Sequence, residues 1–221
     1  MLQALGHVLP IAVAVALSSV PIMATILILL SPNKSRSSLT FLLGWVVGIV
    51  LVVVAFTLLA RVIPTSSPKQ SQVWIGTALV VIGAALVVGA IALWRRGVGK
   101  PSNGVPKWLA AVGSLGPWSA FGLALLLNLR PKAILLAAAA GLSLRSDSLS
   151  VANTALVIAI YTVISASAVA IPIVARMLAP QRTDKWLVGA RKWIAKNNRI
   201  VSILIMILIG VVIFSDGLTR L

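Results

Sequence analysis

Long apolar runs separated by short polar stretches recur along this whole chain, and they leave it little choice of fold. They extend from about His7 to Leu30, Leu39 to Ile63, Val73 to Trp94, Pro117 to Leu144, Val151 to Leu178 and Ile200 to Phe214. In hydrocarbon every backbone N–H and C=O must find its partner inside the segment, so runs of this kind cross as helices. With 60% of its 221 residues apolar and 10% charged, the chain reads as an all-α integral membrane protein with six transmembrane helices. The first run has no basic leader and is too long for a cleaved signal, so it reads as a retained helix.

The fourth run is unusual inside. Near its middle stand Asn128, Arg130, Pro131 and Lys132. Proline removes a backbone donor and clashes with the carbonyl four residues earlier, so the helix is expected to break there. A cation at mid-membrane costs about 2.5–3.5 kcal/mol on insertion scales. Two readings follow. Arg130 and Lys132 snorkel to an interface while Pro131 bends the helix, or the break lines a polar cavity and presents positive charge to an anionic group.

Nineteen Lys and Arg stand against three acids, Asp147, Asp184 and Asp216. The bases lie mostly between the apolar runs, which points to anionic lipid and membrane orientation, and not to nucleic acid. Loops on one side carry Lys34, Arg36, Arg95, Arg96, Lys100, Lys107, Arg182, Lys185, Arg191, Lys192, Lys196 and Arg199; the other side carries Arg61, Lys69, Arg145 and Arg220. The positive-inside rule then predicts a multi-pass plasma-membrane protein with both termini outside. Between the fifth and sixth runs, Trp186, Leu187, Ala190, Trp193 and Ile194 recur at helical spacing among cations. Residues 181–198 are therefore expected to form an amphipathic helix on an anionic leaflet, before helix 6. Gly44 and Gly48 form a GxxxG pair, read as an intramolecular packing face before a dimer seam. The chain has no Cys, one His and no acid within a run core. No metal site and no cofactor is expected, cationic substrates and disulfide relay are disfavoured, and no P-loop signature suggests nucleotide use.

The first and fourth runs resemble each other. Matching Pro21 to Pro131 aligns residues 16–24 with 126–134 without gaps, and sets Ser18 opposite Asn128. Each is followed by two further runs. Three spans per half is odd, so the halves would be inverted in the membrane: an inverted 3+3 repeat with broken helices 1 and 4. The expected units are residues 1–94, a cytoplasmic linker 95–116, and residues 117–221.

This layout, with Asn128, Pro131, Lys132 and Ala133, resembles the lysine-exporter superfamily, in which an Asn-Pro-Lys element in span 4 is characteristic. Leu129 and Arg130 stand between Asn128 and Pro131, where the compact form of that element has no residues. The length, the Ala-rich run after Lys132 and the basic segment before the last span look most like its sulfolipid- and glycopeptidolipid-addressing (GAP/Sap) family. The resemblance implies movement of glycolipids to the bacterial cell envelope.

The leading expectation is therefore a transporter that exports or flips a lipid with a polar or anionic head, such as a glycolipid. Its substrate-binding residues would be Ser18, Ser19, Pro21, Asn128, Arg130, Pro131 and Lys132, with no catalytic residue. Export of a small solute of amino-acid type is the alternative. An integral membrane enzyme on lipid-linked envelope substrates is another, with His7, Asp147, Asp216 and Tyr161 as its few candidate groups. His7 reads as an interfacial residue and Tyr161 as a packed one. The expected partners are the anionic or glycolipid substrate and membrane lipids, with no nucleic acid; a homodimer or an envelope-biosynthesis partner is compatible with the sequence.

Overall fold

The computed structural model describes residues 2–31, 34–62, 68–95, 112, 115–146 and 150–219. They form eight helices: α1 (Leu2–Ala16), α2 (Ser19–Leu29), α3 (Lys34–Val62), α4 (Pro68–Arg95), α5 (Pro117–Asn128), α6 (Pro131–Ser146), α7 (Val151–Leu178) and α8 (Pro180–Leu218). Three of them hold stretches long and apolar enough to cross a membrane, at Arg36–Ala60, Val73–Arg95 and Val151–Leu178. Two helix pairs pass the same test together, each bent at a short break, by 45° between α1 and α2 and by 64° between α5 and α6. A shorter apolar stretch, Ser202–Leu218, ends α8. The chain is a multi-pass, all-helical membrane protein.

Proline sets both breaks. A helical Pro21 would collide with the carbonyl of Leu17. The chain leaves the helix there: the Leu17 N–H still reaches the Val13 carbonyl at 2.9 Å, and the Ser18 N–H tightens to Val15 at 3.1 Å. Ser18 is then extended, with φ −68° and ψ 115°, and α2 starts beside it. In the second break the Leu129 N–H closes α5 on the Leu126 carbonyl at 3.1 Å. Pro131 opens α6 as its first residue, where its missing N–H costs nothing.

Close packing rests on small residues. On α3 a Cβ at Gly48 would lie 2.5 Å from the Asn128 side chain, and one at Gly44 would lie 2.6 Å from the Phe121 carbonyl oxygen. The GxxxG face is thus occupied by α5 of the same chain. α4 and α8 make the most extensive contact, antiparallel, and Gly83 and Gly210 allow their backbones to meet. Gly76 lies against Gly217 and Gly89 against Met206 in the same register.

One sequence expectation changes. The segment 181–198 is not a helix separate from the sixth span. Pro180–Leu218 is one unbroken helix of 39 residues, because no proline or glycine interrupts it near residue 199 and the backbone carries through the polar-to-apolar change. Trp186, Trp193 and the nearby cations are exposed, while Leu187 is fully buried. Asp184 belongs to the same helix. It lies in the second turn of α8 and pairs with Arg176 of α7 at 2.8 Å, while Arg176 also donates to the Leu29 carbonyl at the end of α2. Asp147 and most of the 95–116 linker lie outside the described residues.

Candidate functional site

The two breaks share one cavity of about 660 Å³. From the first break come Ser18, Ser19 and Pro21; from the second come Arg130, Pro131 and Lys132. The remaining wall is largely apolar; part of it belongs to the broken helices themselves, with Val15 and Leu136, and part comes from Trp45 of α3, Gly89 and Leu93 of α4, and Ser202 and Met206 of α8. Six of the seven residues singled out in the sequence therefore meet in one place, although about a hundred positions separate the two groups.

The chemistry of the wall is one-sided. Among the described residues it holds two cations and three hydroxyls and no carboxylate. Lys132 makes no ion pair among the described residues. The hydroxyls of Ser19 and Ser202 lie 3.3 Å apart and tie α2 to α8. Ser18 occupies the N-cap of α2, yet its side chain makes no capping hydrogen bond. Pro21, the third residue of α2, has no N–H for a cap to bond, and the partial positive charge of that helix end is not offset by a side-chain cap. Such a surface attracts anionic oxygen and repels cations.

Asn128 is the exception. It is buried, and its amide donates to the Ala124 carbonyl at 3.0 Å. It packs on Gly48 and faces a minor void beside Tyr161, behind the main cavity. Its position one turn before Pro131 carries it round the helix to the α3 side.

Trp45 and Ser202 were not among the expected residues. Trp45 is hidden between the two glycines of the GxxxG pair, where the small residues draw attention first. Ser202 is a single hydroxyl near the start of an apolar run, and the rule that a polar group in hydrocarbon needs a partner would have flagged it.

The other ionisable candidates lie apart. His7 Nε2 of α1 is 3.2 Å from the Asp216 carboxylate of α8, at the end of the bundle away from Arg176. Tyr161 is buried and hydrogen-bonded to Ser165. Neither group lines the cavity.

Residues 8–219 match the family described as Sap, sulfolipid-1-addressing protein. No curated protein and no solved structure gives a match.

Proposed function

The chain belongs to the Sap, sulfolipid-1-addressing protein family, and on that premise we propose that it is a transporter that exports or flips a lipid with an anionic head group. The observation that carries this reading is the meeting of two broken helices at one cavity whose only charges, among the described residues, are Arg130 and Lys132. A cation kept from the aqueous phase is costly, and it repays that cost when an anion arrives. Ser18 and the start of α2 would bond the remaining head-group oxygens.

An inverted 3+3 repeat is the architecture that fits. Exchanging the halves pairs α1 with α5, α2 with α6, α3 with α7 and α4 with α8. The contact of α3 with α5 then corresponds to that of α7 with α1, and α4 with α6 to α8 with α2. The antiparallel α4–α8 contact maps onto itself. Rocking of one half against the other about that glycine-lined contact would expose the cavity to each side in turn.

The test uses the purified protein in phosphatidylcholine vesicles holding a trace of a fluorescent sulfatide, a sulfated galactolipid, or of its uncharged galactolipid counterpart. Transbilayer movement is followed by quenching of the outer leaflet. Faster movement of the sulfated lipid than of the uncharged one is expected. Equal rates for both, or no acceleration of either, would overturn the proposal.

A further inference from the structure

Trp45 raises a question that packing does not answer. Its side chain is 2% exposed. Its indole N–H is buried and has no hydrogen-bond partner among the described residues. An indole nitrogen can only donate, and a buried donor left without an acceptor is destabilising. If the position needed only aromatic bulk, Phe would supply it without that penalty. Trp45 lines the same cavity as Arg130 and Lys132.

The wall offers this N–H little to bond. No carboxylate lines the cavity among the described residues. The hydroxyls of Ser19 and Ser202 face each other. The backbone of α3 approaches α5 at Gly44 and Gly48, on either side of Trp45, and this close seating fixes the level at which the indole meets the second break.

We propose that Trp45 is a head-group-binding residue, whose indole N–H donates to an anionic oxygen of the bound lipid. This rests on the reading of the cavity as an anion site. Lys132 supplies charge with little directional demand; the indole N–H is a single donor in a rigid frame, so it orients the oxygen that the cations attract. Trp45 thus contributes geometry to a site whose charge comes from α6 and the break before it.

The experiment compares wild type, Trp45→Phe and Lys132→Leu in phosphatidylcholine nanodiscs with increasing sulfatide. Two quantities are read: the rise of melting temperature with sulfatide, and the ¹⁵N indole signal of Trp45, assigned by its loss in Trp45→Phe. Sulfatide should move the Trp45 N–H proton downfield in the wild type. Half-saturation of Trp45→Phe should need about tenfold more sulfatide. Without sulfatide this variant should melt at the wild-type temperature or above, because the unmet donor is gone.

Three results would overturn the assignment while leaving the anion site standing. These are an unmoved Trp45 signal at saturating sulfatide, an unchanged half-saturation in Trp45→Phe, or a marked loss of its stability without sulfatide, which would reveal a structural acceptor. A wild type that sulfatide does not stabilise, behaving as Lys132→Leu does, would remove the anion site and this proposal with it.

Discussion

The first break bends its span by 45° and the second by 64°, and both open on the same cavity, yet their chemistry differs. Ser18, Ser19 and Pro21 make the first break without any charge. The second places Arg130 and Lys132 on either side of Pro131. The first shows that a proline and a small polar residue are enough to separate a pair of half-helices in this chain. Cations are not needed to make a break of this kind. On the proposed function their presence at the second break serves what the cavity holds, and variants at the two breaks distinguish architecture from binding.

The largest expected effect is on transport. Lys132→Leu should slow sulfatide movement in vesicles by about tenfold to a hundredfold, the range for losing a charged hydrogen bond. Its melting temperature should stay equal or rise, because a cation without an ionic partner is removed from a low-dielectric wall. A Lys132→Leu protein that transports normally would erase the distinction between the breaks. One that melts several degrees lower would make Lys132 a structural residue.

What could be read in the sequence follows the same division. The long apolar helices and both breaks were legible because apolar length and proline act locally, within four residues. The charge at the second break was legible because a cation in an apolar run is costly wherever the rest of the chain lies. The far wall was not, since Trp45, Gly89 and Ser202 reach the cavity only through the α3–α5 and α4–α8 contacts. Asn128 stands apart from the main cavity for a related reason. Its spacing from Pro131 resembles a binding motif, but the helix turn directs it to Gly48, and its amide finds the Ala124 carbonyl. The join within α8 was misplaced because a change from polar to apolar surface marks a change of environment, and a helix continues through that when nothing breaks its backbone. The pairs His7–Asp216 and Arg176–Asp184 depend on which helix ends meet, which only the fold decides.

A smaller effect concerns the prolines themselves. Pro21→Ala restores an N–H and removes the clash with Leu17, so α1 and α2 are free to fuse. An interior proline costs about 3 kcal/mol, and a gain of up to that size is expected, less whatever bending the surrounding helices still impose. Pro131→Ala removes the same kind of clash, but a straight helix would turn Arg130 and Lys132 against apolar neighbours at about 2.5–3.5 kcal/mol for each. That break should persist. Amide hydrogen exchange should slow at residues 17–20 in the first variant and stay fast at 129–132 in the second. Equal slowing in both would mean that charge plays no role in holding the second break open.

The smallest effect tests the neutral break alone. Ser18 stands where an N-cap usually bonds the first turn, and replacing such a cap by Ala ordinarily costs about 1 kcal/mol. Here the capping bond is not made, so Ser18→Ala should leave the melting temperature within about a degree of wild type. Its hydroxyl is instead available to the cavity, where one neutral hydrogen bond contributes about 0.5–1.5 kcal/mol. Half-saturation by sulfatide should therefore rise about two- to tenfold, well below the effect of losing Lys132. Loss of about 1 kcal/mol of stability with unchanged sulfatide binding would mean that the hydroxyl caps α2 after all. The first break would then contribute shape to the cavity and no ligand contact from this residue, and recognition of the head group would fall to the cationic break and the helices that face it.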